Sequence, residues 1–196
     1  MASEVETINS ALNMLGATNI ISRGEDSKSA RVTNQRFDAV RDAVFRAHPW
    51  NCLVTRQSLA ADADTPAFDW SYQITLPTDP YCLRVMQLDY LDINFQVEGR
   101  KILTDESTIN LIYLARVVDP NEWDSLLNET IAARLAADIS FSMVQSTSLT
   151  ANLYSLYESK LSEARFTDAT EGTPGAMTGV TGSGGLQSDI LVNSRL

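Results

Sequence analysis

An α+β fold is predicted: a four-helix domain with an antiparallel β domain inserted between its second and third helices, followed by a flexible C-terminal arm. Three observations predict it. Apolar residues recur at helical spacing in residues 1–49 and again in 117–169. Between them, residues 50–116 switch to period-two alternation broken by Pro, Gly and Asp. From residue 170 onward, Gly172, Gly175, Gly179, Gly182, Gly184 and Gly185 crowd a stretch with too little apolar material for a core. The 196 residues are 44% hydrophobic and 20% charged. That composition excludes wholesale disorder.

The first helix is expected to start at Ser3, with Glu6 three positions on completing a capping box. Val5, Ile8, Leu12 and Leu15 form its apolar stripe, and Gly16 ends it. A loop spans 17–26. The second helix is expected over 27–47 with Ala30, Phe37, Val40 and Val44 inward, closed by Pro49. Its arginines Arg31, Arg36, Arg41 and Arg46 recur every five residues, more than one full helical turn. Successive arginines therefore step around the axis and form no single DNA-facing stripe; exposed faces or subunit contacts are the expectation.

The β region is expected to begin at Cys52, with a strand to Leu59 and a loop over 60–67. Trp70, Tyr72, Ile74 and Leu76 alternate with polar residues, which places Trp70 and Tyr72 with Trp50 among the expected core. Pro77, Asp79 and Pro80 mark a turn before a strand over 81–88. Ile93, Phe95 and Val97 alternate toward a hairpin tip at Glu98-Gly99-Arg100, with 101–104 returning. A last strand covers 109–117. The third helix is expected to start at Asp119-Pro120, with Glu122 completing the start signal. Its stripe is Trp123, Leu126, Leu127, Ile131, Leu135, Ile139 and Met143; Trp123 and Leu135 are core candidates. Ala132, Ala133, Ala136 and Ala137 permit close packing, including against a neighbouring subunit. A turn at 145–148 leads to a fourth helix with Leu149, Leu153, Leu156, Tyr157, Leu161 and Ala164 inward.

Charge limits function. The net charge is −10. It opposes a general nucleic-acid footprint, which needs clustered Lys and Arg. The acidity lies in 50–116 and 117–168, either as a solvated face or as a wall past which DNA slides without sticking. One histidine, His48, and two cysteines, Cys52 and Cys82, make no zinc spacing, so neither a metal nor a cofactor is expected. His48 in His-Pro-Trp suits a helix end rather than a nucleophile–base pair. Both cysteines read as buried and inert. The acids Asp62, Asp64, Asp105 and Glu106 lie in loops without a catalytic partner. The Gly-rich tail lacks the Lys of a phosphate loop. The acidic start at Met1–Glu4 carries no secretory signal, and no apolar run reaches the roughly 20 residues of a membrane span. An interaction role, not catalysis, is expected. Ile190, Leu191 and Val192, at the end of the Gly-rich arm, are the candidate interaction residues, as a strand added to a sheet edge or as a frayed end.

Several stretches, in order, resemble the tail tubular protein A family, the head-to-tail adaptor of short-tailed bacteriophages. They are Met14-Leu15-Gly16, Arg46-Ala47-His48-Pro49-Trp50, Phe68-Asp69-Trp70-Ser71-Tyr72 and Tyr81-Cys82-Leu83-Arg84-Val85 after Leu76-Pro77. Val97-Glu98-Gly99-Arg100, Tyr113, Arg116-Val117-Val118-Asp119-Pro120 and the alanine-rich stretch 132–138 complete the set. The resemblance covers residues 3–170 and leaves the Gly-rich end outside it. It implies a helical domain with a β insert and a homo-oligomeric connector ring of about twelve copies. It also implies a place in the virion neck after synthesis in the host bacterial cytoplasm. Portal protein would lie above the ring and the tail tube or nozzle below, with genomic DNA passing through at ejection. The rival expectations are a small soluble α+β ligand-binding or enzyme domain of a bacterial host, and a nucleic-acid-binding regulator, which the charge disfavours.

Overall fold

Ser3 starts the chain's first helix by reciprocal bonding. Its hydroxyl accepts from the Glu6 backbone N–H at 3.1 Å, and the Glu6 carboxylate accepts from the Ser3 N–H at 3.0 Å. The computed structural model describes residues 3–88 and 93–171. Helix α1 (Glu4–Met14) ends at Gly16, whose φ is +63°. Few other residues adopt that conformation cheaply. There Gly16 N–H bonds Asn13 O and Ala17 N–H bonds Leu12 O, the paired closure of a glycine-terminated helix. Helix α2 (Lys28–Ala47) is capped by the Ser27 hydroxyl. Six strands follow: β1 (Val54–Ala60), β2 (Tyr72–Thr75), β3 (Cys82–Leu88), β4 (Phe95–Glu98), β5 (Lys101–Thr104) and β6 (Thr108–Ala115). Helices α3 (Ser125–Val144) and α4 (Thr147–Thr170) close the sequence of elements. The fold is α+β, with the β region between the second and third helices.

The strands form two small antiparallel sheets, β1-β6-β3 and β2-β5-β4. The chain divides into two compact units. The first gathers the stretch up to Thr55, Pro77–Arg84 and Leu114–Arg165; the second gathers Arg56–Leu76, the stretch from Val85 to Tyr113 and the end of α4 from Phe166. The expected boundaries at 49/50 and 116/117 thus differ from the observed ones by a few residues. The turn at 77–81 and the start of β3 go with the helices rather than with the rest of the β region.

In the first unit α3 packs on both α1 and α2. Ile8, Leu12, Phe37, Val40, Val44, Ile131 and Leu135 are buried there. Ala132, Ala133, Ala136 and Ala137 are buried too, so the small face of α3 serves packing within the chain rather than the expected contact with a neighbour. Trp50 is fully buried and its indole donates to Val44 O at 3.0 Å. Trp123 is buried and donates to Val117 O at 2.9 Å. Its ring stands edge-on to Phe45, ring centres 5.4 Å apart. Aromatic pairs favour that arrangement, because the positive ring edge meets the negative face. α4 docks through Ser140 and Thr150, Tyr154 and Asp138, Lys160 and Glu129, and the Arg165 guanidinium, which donates to Ala47 O at 2.7 Å. Leu153, Tyr157 and Ala164 are buried, whereas Leu156 of the expected stripe is exposed.

Some expectations need correction. The start signal Asp119-Pro120-Glu122 makes a 3-10 turn, capped by the Asp119 carboxylate at the Asn121 N–H, and not the start of the long helix. α3 begins at Ser125, where Asp124 accepts from both Leu126 and Leu127 N–H. The stretch Asn51–Leu53 is a 3-10 turn, so the strand expected from Cys52 starts at Val54. Trp70 is only half-buried and Tyr72 is exposed, so neither belongs to the core. The alternation that placed them inward breaks at Asp69, with φ +69°, and at the tight Trp70 N–H to Phe68 O bond. β2 begins only at Tyr72, which pairs with Thr104 at the sheet's end. The loop acids are not idle either. Asp62 accepts from the Thr75 N–H and hydroxyl, and Asp105 from the Ser71 N–H and hydroxyl, clamping both ends of β2.

Candidate functional site

Three places collect chemistry. The first is a charge network in the helical unit. Arg41, 5% exposed, reaches Asp42 at 3.0 Å, Asp38 at 3.2 Å and Glu4 at 3.6 Å. Arg23 bonds Glu4 at 2.6 Å and Asp38 at 3.5 Å and lies over the Phe37 ring. Burial alone would lower the Arg23 pKa, but the Glu4 and Asp38 carboxylates outweigh it and raise it above its ordinary value. Asp42 then passes the chain of charges to Arg116, which lies 4.3 Å over the Tyr81 ring. The negative ring face attracts that cation. Of the four evenly spaced arginines, only Arg41 is buried; Arg31, Arg36 and Arg46 are exposed but each is engaged, Arg31 with Asp26. Arg36 pairs with Asp138 at 2.7 Å, and Arg46 donates to Leu83 O. Arginines so engaged are staples, not a nucleic-acid face.

Arg116 also borders the second place, a cavity of about 590 Å³ with Cys52, Thr55, Tyr81, Asp119 and Glu122. Arg116 Nε is buried without a hydrogen-bond partner. Asp119, bonded by the Asn121 N–H and amide, has its pKa held below the usual carboxylate value. Cys52 is half-buried and Cys82 buried, with no disulfide among the described residues. His48 packs edge-on against Trp50, ring centres 4.9 Å apart, in an aromatic contact at the helix end. Among the described residues no group of three or more His, Cys, Asp or Glu gathers to hold a metal ion, and no helix is long and apolar enough to cross a membrane.

The third place is the rim of the β2-β5-β4 sheet. Register puts Tyr72, Ile74, Ile102, Thr104, Phe95 and Val97 on one face and Gln73, Leu103 and Gln96 on the other. The centre of the first face is buried at Ile74 and Ile102, but β4 is exposed along its whole length, Phe95 and Val97 included. On the other face the loop at 66–70 frames a cavity of about 360 Å³ with Phe68, Trp70, Gln96, Lys101 and Leu103. Phe68 is 76% exposed. Sequence reading missed this rim because the alternation of Phe95 and Val97 says which way side chains alternate, not whether anything covers them. The candidate interaction residues Ile190, Leu191 and Val192 lie outside the described residues.

Three of the segments that carried the family resemblance, around Arg46, 77–84 and Arg116, meet in space within the helical unit. Arg46 donates to Leu83 O, the Arg116 N–H bonds Tyr81 O at 2.8 Å, and the Cys82 N–H bonds Pro77 O at 3.0 Å. No protein-family model matches this chain, and no curated protein matches it.

Proposed function

We propose that this chain is a structural virion protein, one subunit of a head-to-tail adaptor ring. The ring joins the portal above to the tail tube or nozzle below in a short-tailed bacteriophage and gives genomic DNA passage during ejection. One observation carries the reading: stretches that resemble the adaptor family, far apart in the chain from Arg46 to Arg116, converge on one junction. A shared junction of that kind is what a shared fold would keep. Two features agree with it. The helix–sheet–helix order is the one that the resemblance implies. A net charge of −10 repels the phosphate backbone, so DNA passes without sticking. A contact between two different surfaces, repeated around a closed rotation, builds such a ring without a dimer axis.

The experiment is recruitment. Purified chain is sized by light scattering, then mixed with portal assemblies and imaged by negative stain. Rings seated on portal are expected. A portal that never recruits the chain sinks the reading.

The cavity beside Arg116 favours a second reading, a small ligand-binding α+β domain, because its volume suits a small molecule and a guanidinium on its wall suits an anionic one. Three acids, Asp79, Asp119 and Glu122, line the same cavity and weigh against an anion. A compact monomer that gains thermal stability with small anions, and never forms rings, favours it over the adaptor.

A further inference from the structure

Three consecutive apolar residues, Ile190-Leu191-Val192, place side chains on both faces of any strand they form. Such a strand needs apolar ground on both sides of its neighbour. The outer edge of β4 offers it fully on one face and, on the other, as an aromatic-walled cup with a polar rim. β4 is the last strand in the order β2-β5-β4, and no strand pairs its far edge among the described residues. On one face its Phe95 and Val97 are exposed beside the buried Ile102. On the other, Phe68, Trp70 and Leu103 wall a cup of about 360 Å³ rimmed by Asp69, Gln96, Glu98 and Lys101, room for one large aliphatic side chain. An unpaired strand edge is also a template for backbone pairing.

We propose that residues 189–193 of one copy add as a fourth strand along the outer edge of β4 in a second copy. Ile190 and Val192 lie over Phe95 and Val97, and Leu191 enters the Phe68–Trp70 cup. Residues 172–189 supply the reach, at most about 60 Å when extended and about 23 Å as a Gly-rich coil. Backbone bonds supply affinity, and the apolar match to Phe95 and Val97 with Leu191 in the cup supplies register. The proposal rests on the ring reading only for which copy supplies the strand.

The test replaces Phe68 by the photoreactive p-benzoylphenylalanine, a conservative aromatic change at an exposed position, in the full chain. Heavy-isotope and light-isotope chains are mixed across a concentration series, irradiated and mapped by mass spectrometry. Links between the 66–70 loop and residues 186–196, joining heavy to light peptides, are expected. In the Leu191→Asp background their yield falls about tenfold or more, because a carboxylate forfeits the apolar contact with Phe68, Trp70 and Leu103 and meets Asp69 and Glu98 in the same cup. The far-UV spectrum should not change. Same-isotope links alone, links to other segments, or a yield that ignores Leu191→Asp each overturn the proposal. Imaging of the same samples with portal separates the two readings. Heavy–light links without rings sink the ring and keep the strand addition, while rings without these links do the reverse.

Discussion

The two units solve burial differently. The helical unit closes on itself: α3 is buried on its faces toward α1 and α2, and Trp50 and Trp123 satisfy their indole N–H groups internally. The β unit does not close. Its small sheet buries Ile74, Ile102 and Leu103 but leaves Phe95, Val97, Tyr72 and Phe68 at the rim. Sheets of three strands have two edges and little area, so the outer strand stays wet unless something pairs with it. The contrast teaches that apolar surface is left uncovered where a small sheet ends, not where helices cross. Both units bury a core, Leu88, Ile109 and Leu111 in the second as Leu12, Phe37 and Leu135 in the first, but the exposed apolar side chains of the second gather on one small sheet and its loop, whereas those of the first, such as Ile21, Val118 and Phe141, are scattered along the chain.

The largest expected effect tests the helical half of that contrast. Leu135 has no exposed surface, so Leu135→Ala removes buried methyl groups and leaves a cavity. It should cost about 2–5 kcal/mol. For a chain of this size that lowers Tm by roughly 5–15 °C in a thermal melt followed by circular dichroism. A melt unchanged within error would break the comparison, because the α3 stripe would then carry no more than the sheet rim does.

A middling effect sharpens it. Asp138, on α3, is bonded by the Tyr154 hydroxyl at 2.7 Å and by Arg36, with Arg134 at 3.2 Å and stacked against Tyr154. The hydrogen bond to Asp138, with burial behind it, raises the Tyr154 pKa above 10.0. A raised folded-state pKa means that the contribution is fully present below the unfolded value and is lost as pH rises through the folded one. Tyr154→Phe should cost about 1 kcal/mol at neutral pH. The gap between variant and wild-type urea midpoints should shrink as pH climbs above roughly 10. A gap that widens instead would mean that the Tyr154–Asp138 bond does not join α3 to α4.

Much of the helical unit was legible because caps and periodicity are local. Ser3 with Glu6, Ser27, and Gly16 at positive φ all act on near neighbours in the chain, and the buried faces of α1 and α2 follow their stripes. Two of the misses turn on side chains that bond the backbone, one close in the chain and one far from it. Asp119 and Asp124 are both good caps within one short stretch, and only the bonds each makes decide which starts the helix. Trp70 and Tyr72 alternate correctly, yet the kink at Asp69 and the clamp on Ser71 from the distant Asp105 cut the strand short. The burial of Arg41 was equally hidden, since its three carboxylate partners come from two helices. Of the candidate sites, the sheet rim was invisible because a strand's neighbours, not its pattern, decide whether it is an edge.

The smallest effect concerns that rim. Tyr72 is 36% exposed at the first position of β2, pairs with Thr104 across the sheet, and shares a face with Ile74 and Ile102. Its backbone is already fixed by the ladder to β5 and by the Asp105 clamp on Ser71, so the ring is not needed to set the register. What Tyr72→Ala removes is one half-open cross-strand contact, worth about 0.2–1 kcal/mol. The expected melt is therefore within about 3 °C of wild type. Had the alternating pattern placed this ring in the core, the same change would have left a large cavity and matched Leu135→Ala in cost. Measuring the two variants side by side, in the same buffer, decides between those pictures. A Tyr72→Ala loss as large as that of Leu135→Ala would mean that the sheet face is closed and that the rim offers no surface to another chain.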